Sequence, residues 1–467
     1  MSEDFVTTAK TKLNEYLLKT ESLFTENRKR WVSDFVGHFR GVCEIIQKLQ
    51  GEMASSAAIS SAAIAYVEYI MLNTSFVKRR YCADIFIFNE KSYLDKTQSF
   101  VGHYDISFLF IYFDKLWDDL IVLRKSYPKQ VSVRDVTSFM LKALPSFYSY
   151  LPCISRIAIQ SCSGKTPRII GAEGSKGTLF SGIKKTDVFM VNVGDYMAKT
   201  ETVYEERKDK NAKKLSDWFG EQLYGRYVFG DYSGLDFSGL IIRESDFRYA
   251  RFSDSVLKDV DMEGSTLIGA NFCGSNLLGC RFDNCSLYEA DFSDSLLINA
   301  SFKNTRAKAG LTCKTVWKSP GFLPVSFCRS DLSKADFSRA NLIGADFTGA
   351  TLRDDSFMSS ILDEANFTGT ILNNVNFTGA ILDGVNFTRA ILNNINFTDA
   401  ILNNANFTDA VLDKTDFTGA ILNKTNFTGA ILNNADFTNA ATDKTIIMPE
   451  SKKIRALGYY TCAGGGD

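Results

Sequence analysis

The residue types that most often carry enzyme chemistry are sparse in this sequence. Among its 467 residues are two histidines, His38 and His103. The ten cysteines show no metal-type pairing, since Cys153 and Cys162 are too far apart for a CxxC motif. We therefore expect neither a histidine-based catalytic triad nor a zinc site, and the sequence predicts no catalytic or metal-ligating residue.

One segment has part of a phosphate-binding loop. Residues 161–166 read Ser-Cys-Ser-Gly-Lys-Thr, which ends like the loop that cradles nucleotide phosphates. Ile159 occupies the position where that loop needs its first glycine, and Pro167 follows where a helix should begin. The sequence therefore predicts no nucleotide and no cofactor, and we interpret residues 161–186 as a flexible basic loop containing glycines.

The dominant feature of the sequence is a five-residue repeat between about 235 and 440. A large apolar residue occupies every fifth position, and a small residue lies two positions before it, as Ala365 precedes Phe367. Neither a helix nor an ordinary strand has this period. In three extended residues the first and third side chains point inward and the second points outward, while the other two residues turn a corner. Four such sides close a coil of about twenty residues, and successive coils stack about 4.8 Å apart.

With this repeat the chain resembles the pentapeptide-repeat protein family. The resemblance rests on units such as Ala-Asn-Phe-Thr-Gly (365–369), which recur in one frame over residues 235–440. The fold of that family, a right-handed quadrilateral β-helix, is what the resemblance implies for this part of the chain. In this frame Leu392 and Phe397 are inward positions, and we predict that both are fully buried.

The N-terminal half of the chain has helical patterns. Residues 3–50 carry an apolar stripe at three- and four-residue steps, and further helices are predicted at Ala54–Leu72, Asp105–Arg124 and Val133–Ala143. The expected fold class is α + β, with a mainly α-helical N-terminal domain followed by the β-helix. In chain order the predicted parts are an α-helical domain (1–160), the basic loop (161–186), a helical connector and N-terminal cap (187–225), the β-helix (226–440), and a C-terminal cap and flexible tail (441–467) with Cys462.

The five-residue pattern is interrupted once, at about residues 306–321. This insertion contains basic residues and a tryptophan without an acidic residue, namely Arg306, Lys308, Lys314, Trp317 and Lys318. Loops held by a rigid scaffold commonly carry binding sites, so these five residues form a candidate binding loop for an acidic partner or nucleic acid. The alternative is an irregular coil without a binding role. Because the repeat resumes in phase at Phe327, we expect the coils on both sides to remain intact.

A second candidate site is a set of β-branched residues at the outward positions before the central leucines. The set comprises Ile361, Ile371, Ile381, Ile391, Ile401, Val411, Ile421 and Ile431. Twenty residues per coil sort these eight residues into two columns on opposite sides of the β-helix. Strand preference alone favours β-branched residues, but continuous apolar strips often mark contacts. We expect the contact to be self-association or packing against the N-terminal domain.

Charge and targeting features limit the classes of partner. Residues 1–225 carry 31 Lys+Arg and 26 Asp+Glu, and residues 226–467 carry 22 and 28. These balances, +5 and −6, are too mild to indicate direct nucleic-acid binding. The sequence shows no signal-peptide pattern and no apolar run suited to a membrane span. We expect a cytoplasmic, bacterial protein, and the sequence leaves a secreted effector open.

The sequence favours a non-enzymatic interaction scaffold built on the β-helix, with protein partners and a homodimer through the β-helix as the expected contacts. The resemblance implies an alternative, in which the β-helix mimics DNA, as family members that protect a type II topoisomerase (gyrase) are thought to do. Residues 361–440 hold eight acidic and three basic residues, an acidic balance that asparagine dilutes. A second alternative is an effector with an unrecognised activity in the N-terminal helical domain.

Overall fold

The chain forms two compact units with a boundary near residue 211. The computed structural model describes residues 3–53, 64–71, 76–88, 99–148, 150–162, 185–195, 200–207, 225, 227–307 and 324–443. Most of the predicted basic loop (161–186) and of the C-terminal cap and tail (441–467), including Cys462, lies outside the described residues. The expected α + β fold class is confirmed, with helices and a small sheet in the N-terminal unit and a β-helix in the second.

The N-terminal unit contains four helices: α1 (Glu3–Met53), α2 (Ile111–Arg124), α3 (Val133–Tyr148) and α4 (Tyr150–Cys162). The helix predicted for residues 3–50 is confirmed, and its apolar stripe is buried, as at Phe35 and Phe39 one turn apart. The helix predicted to begin at Asp105 begins later, at Ile111. Within the described ranges, no helix combines the length and the apolar character that spanning a bilayer requires.

A five-stranded sheet completes the N-terminal unit. Its strands are β1 (Ile64–Met71), β2 (Cys82–Phe88), β3 (Ser99–Asp105), β4 (Lys185–Asp195) and β5 (Thr200–Arg207), in the spatial order β3-β2-β1-β4-β5. Strand β1 is central, because it pairs antiparallel with β2 and parallel with β4. The predicted helix at Ala54–Leu72 and the predicted helical connector at 187–225 are therefore wrong wherever these strands run.

Burial on both faces of the sheet explains this error. The consecutive residues Tyr69 and Ile70 of β1 point to opposite faces, and both are buried. A strand buried on both faces loses its two-residue alternation, so its period cannot distinguish it from a buried helix. Glu68 is the buried polar residue of β1, and it accepts a hydrogen bond from Asn192 Nδ2 on β4 at 3.2 Å.

The second unit is a parallel β-helix with twenty residues per coil. Outward residues pair with those one coil further on, as Ile361 pairs with Ile381, and the Phe367 N–H donates to Asn386 O at 2.7 Å. One side has five short parallel strands: β6 (Thr351–Arg353), β7 (Ile371–Asn373), β8 (Ile391–Asn393), β9 (Val411–Asp413) and β10 (Ile431–Asn433). The predicted β-helix architecture is confirmed.

The corners of the coil hold residues with positive φ. Gly369 has a φ of 64°, and the Thr370 N–H closes its turn by donating to Phe367 O at 3.2 Å, as in a type II turn. Arg389 and Lys414 adopt the same region, with φ of 57° and 54°. A side chain in this conformation costs about 1–2 kcal/mol, so the ladders on both sides must hold these corners in place.

Stacked rings and leucines fill the interior of the β-helix. Phe367 and Phe387, one coil apart, stack with ring centroids 4.9 Å apart. Phe367 and Phe377, on opposite sides of the coil, meet edge to face at 6.0 Å. Leu392 and Phe397 are fully buried, as predicted.

The insertion leaves the ladder in phase. Arg306 pairs with Asn341, a separation of 35 residues where other coils have 20, so the insertion adds 15 residues. The insertion begins after Ala307 and not at Arg306, because Arg306 N–H still donates to Cys285 O at 3.0 Å and Ala307 is buried in the core. The regular coil therefore extends further than the sequence pattern indicated.

Candidate interaction surface

Four ladders of outward side chains run along the β-helix. We number them by their first paired residue: ladder 1 from Asp231, ladder 2 from Asp236, ladder 3 from Ile241 and ladder 4 from Asp246. Ladders 2 and 4 lie on opposite sides, because two sides of the four-sided coil separate them. Hydrogen bonds between coils hold each ladder in a straight row with a spacing of about 4.8 Å.

The eight predicted apolar residues fall onto two ladders. Ladder 2 carries Ile371, Ile391, Val411 and Ile431, and ladder 4 carries Ile361, Ile381, Ile401 and Ile421. On ladder 2, Ile371, Ile391 and Ile431 are 43%, 40% and 52% exposed. All four residues of ladder 4 are half-buried. Ladder 2 is therefore the better candidate contact surface.

Ladder 2 also has exposed apolar residues that the sequence reasoning missed. Val256 and Leu296 are 38% and 47% exposed, and both belong to this ladder through pairing with Asn276. Their separation of two coils would have revealed them, once the 15-residue insertion was taken into account. The apolar character of ladder 2 thus begins before the insertion.

Ladder 1 is polar and makes its hydrogen bonds within itself. Asn366 Oδ1 accepts the backbone N–H of Thr368 at 3.1 Å and its hydroxyl at 2.6 Å. The Nδ2 of Asn366 donates to Thr348 Oγ1 at 2.8 Å, and that of Asn386 donates to Thr368 Oγ1 at 3.0 Å. The recurring Asn-Phe-Thr sequence therefore stabilises corners and joins coils, which gives ladder 1 a structural role.

The predicted binding loop is only partly within the described chain. Arg306 is an exposed member of ladder 4, paired with Ser286 and Asn341. The other four residues, Lys308, Lys314, Trp317 and Lys318, lie outside the described residues. The binding role of the loop stays a prediction, and Arg306 is fixed in the regular ladder.

The N-terminal unit holds a cluster of metal-ligand side chains that the sequence reasoning missed. Cys82 and Asp84 lie on β2 and His103 on β3, and one ligand atom from each lies within 4.8 Å of the other two. His103 Nδ1 is 2.6 Å from Asp84 Oδ1. The argument against a histidine-containing site relied on the number of histidines. It could not take account of the strand pairing that joins residues 19 positions apart.

Comparison with protein families identifies the repeat. The family model described as "Pentapeptide repeat region" matches residues 370–447, and the model described as "Pentapeptide repeats (8 copies)" matches residues 265–304 and 325–354. The gap in the second match contains the insertion, and neither match extends into the N-terminal unit. No curated protein matches the chain.

Solved structures of similar proteins cover a quarter to a half of the chain. HetL, a pentapeptide repeat protein involved in heterocyst differentiation regulation from the cyanobacterium Nostoc sp., is 23% identical over 48% of this chain and 92% of its own, with a TM-score of 0.29. QnrB1, a plasmid-mediated fluoroquinolone resistance protein, is 18% identical over 46% and 94%, with a TM-score of 0.22. A pentapeptide repeat protein from the Arabidopsis thaliana thylakoid lumen is 25% identical over 26% and 72%, with a TM-score of 0.19. At these TM-scores the superpositions add nothing about function. The repeat frame and the family matches over residues 265–447 show that the chain is a pentapeptide-repeat protein.

Proposed function

We propose that this chain is a non-enzymatic interaction scaffold whose β-helix binds a protein partner through ladder 2. The observation that carries the proposal is the row of exposed apolar side chains at Ile371, Ile391 and Ile431, which are 40–52% exposed. Exposed apolar strips often mark contacts. The hydrogen-bonded coils hold the row rigid, so a partner orders little of this surface when it binds.

The fold itself does not require an apolar row at these positions. Ladders 1 and 3 present asparagine at the equivalent outward site of the same coils, as at Asn386 and Asn396. These residues form the same bridges as Ile381, so the coil geometry accepts a polar side chain there. Strand preference therefore does not account for the isoleucines of ladder 2.

A second copy of this chain is the partner that fits ladder 2 best. A twofold axis places ladder 2 of one copy against ladder 2 of the other, so that two rows with the same spacing face each other. Four apolar rungs are too few to bury the roughly 1,000 Å² of a stable interface. The contact must therefore include flanking polar residues such as Asn373, which is exposed. We expect a weak, reversible dimer.

Mimicry of DNA has less support from the geometry. Over residues 361–440 the outward positions hold isoleucine, valine and asparagine, and the acidic exceptions are Asp416 and Asp436 on ladder 3. Duplex DNA carries one negative charge per about 1.7 Å of its axis. Other carboxylates lie at corners, as at Asp363, whose Oδ1 accepts the Asp383 N–H at 3.0 Å. These charges form no continuous row of that density.

Sedimentation velocity of the full-length protein over a range of concentrations tests the proposal. Replacing both Ile371 and Ile391 with threonine keeps β-branching and removes apolar surface. We expect the wild-type chain to dimerise as concentration rises, and the double variant to dimerise at least about tenfold more weakly. The matched control replaces Ile381 and Ile401 on ladder 4 and should leave dimerisation unchanged. A wild-type monomer at every concentration, or equal effects of the two pairs of substitutions, contradicts the proposal.

A further inference from the structure

The antiparallel pair of β2 and β3 brings four functional side chains together in a square. Cys82 lies opposite Asp105, and Asp84 lies opposite His103. Residues two apart on a strand point to the same face, so all four side chains share one face of the sheet. Cys82 and Asp84 are half-buried, and His103 is exposed, so this face is open to a small ligand.

A bulge next to the square positions an aromatic ring against His103. Ile85 pairs with Gly102, but Phe86 pairs with Phe100, so the register shifts by one residue between them. This shift turns Phe100 to the face of His103, and their ring centroids lie 4.9 Å apart. Bulges commonly redirect side chains beside functional sites. Here the bulge limits the rotation of the imidazole.

We propose that Cys82, Asp84 and His103 bind a zinc-type divalent cation. One ligand atom from each residue lies within 4.8 Å of the other two, so the three groups converge on one point. Thiolate sulfur, imidazole nitrogen and carboxylate oxygen together are the donor set that Zn²⁺ accepts. Ca²⁺ and Mg²⁺ prefer oxygen ligands alone, so a site with a thiolate and an imidazole selects against them.

The distances require only small side-chain movements. Zinc–ligand bonds of about 2.0–2.3 Å in a tetrahedron place neighbouring ligand atoms about 3.5 Å apart. His103 Nδ1 and Asp84 Oδ1, now 2.6 Å apart across a hydrogen bond, therefore separate by about 1 Å when the cation replaces the shared proton. Rotation of the side chains achieves this movement, because the His103 side chain is 61% exposed.

Three protein ligands leave the fourth coordination position to solvent. Asp105 lies beside Cys82, but one of its carboxylate oxygens accepts the Ser107 N–H at 2.9 Å, which orients the carboxylate. Three ligands with an open position are typical of zinc that binds or activates a further ligand, whereas structural zinc sites have four protein ligands. The inferred site therefore binds a cation that remains accessible from solvent.

Titration of the chelator-treated full-length protein with Co²⁺, followed by competition with Zn²⁺, tests the proposal. Cobalt bound to a thiolate gives a near-ultraviolet charge-transfer band, and a tetrahedral site gives intense visible bands. We expect one equivalent with both features. Cys82→Ser should remove the thiolate band. Asp84→Asn and His103→Gln should weaken Zn²⁺ binding more than the roughly 10–100-fold that loss of an outer-shell partner costs.

Cys328→Ser is the matched control, because Cys328 is a half-buried cysteine of the β-helix; it should leave the cobalt spectrum unchanged. X-ray absorption of the zinc-loaded wild-type protein gives a second measurement that needs no variant. It should show one sulfur at about 2.3 Å and nitrogen or oxygen ligands at about 2.0–2.2 Å. A wild-type protein without the thiolate band, a band that survives in Cys82→Ser, or coordination by sulfur alone overturns the proposal.

Discussion

Replacement of Asp355 with alanine should stabilise the β-helix at neutral and alkaline pH. Asp355 occupies an inward position that small residues such as Ala335 and Ala365 fill in other coils, and it is 2% exposed. Its Oδ1 accepts the Ala335 N–H at 2.7 Å, whereas its Oδ2 finds no hydrogen-bond partner in the described part of the chain. Burial raises the pKa of the Asp355 carboxyl to about 9, so this group is protonated at neutral pH.

The size of the effect follows from the proton that the unfolded chain releases. An aspartate in the unfolded chain has a pKa of about 3.9. Between about pH 4 and pH 9, the folded state therefore holds a proton that the unfolded state has lost. The free energy of unfolding falls as pH rises through this window, by at most about 1.4 kcal/mol per pH unit. At pH 7 we expect a penalty of about 2–4 kcal/mol, which the substitution removes. The Ala335 N–H stays paired in the variant, since it also donates to Leu332 O at 2.7 Å.

Denaturant unfolding followed by circular dichroism between pH 4 and pH 9 measures this penalty. The gain in the Asp355→Ala variant should be small at pH 4 and grow with pH. Because repeat arrays can unfold in parts, hydrogen exchange of the Phe357 amide gives a local reading in the same coil. The control is Asp354→Asn, an exposed neighbour whose φ of 62° asparagine tolerates, with an expected change within about 0.5 kcal/mol. A gain that does not vary with pH, or a loss that grows with pH, refutes the assignment of a buried neutral carboxyl.

Three further predictions concern both units. Burial lowers the pKa of His38 to about 4, so the stability of the N-terminal unit should be full above about pH 6.5 and decline as pH falls toward 4. His38→Phe should flatten this decline in acid unfolding followed by tryptophan fluorescence, and an unchanged pH profile contradicts the reasoning. Leu392→Ala should cost about 2–5 kcal/mol, measured as lost amide protection in the adjoining coils; full protection in the variant argues against the assigned core. Deletion of residues 308–322 removes 15 residues and places Phe327 five positions after Ala307, so the thermal unfolding of the β-helix should persist, and its loss would show that the segment is structural.

The β-helix could be predicted from the sequence because its pattern is local. A unit such as 365–369 contains its own inward pair and its own corner, and each coil needs only the next twenty residues for its ladder. The columns of ladder 2 and ladder 4 followed from the same count. Exposure did not follow, since Ile391 is 40% exposed and Ile401 is half-buried although both are isoleucines at the same position of the repeat. The difference depends on neighbouring side chains that the period does not describe.

The sheet of the N-terminal unit could not be predicted in this way because its pairing partners are distant in sequence. Glu68 of β1 and Asn192 of β4 are 124 residues apart, and nothing in either segment indicates the other. The cluster around Cys82 and His103 depends on the register of two strands and on the bulge at Phe86. Both features arise from tertiary pairing, so counting residues along the chain gave the wrong expectation for a histidine-containing site.

The difference between the units also determines what kind of ligand each can bind. A ladder of the β-helix repeats one residue type along a row, as Asn366 pairs with Asn386, so its surface suits a partner that contacts many equivalent positions. Binding of a single ion requires unlike groups at one point, and here these groups are the thiol of Cys82, the carboxylate of Asp84 and the imidazole of His103. Such convergence arises where strands of different sequence pair, which is the case in the N-terminal sheet. The two proposed contacts therefore rest on different residues in different units, so the ladder 2 substitutions should leave cation binding unchanged, and loss of the cation ligands should leave dimerisation unchanged.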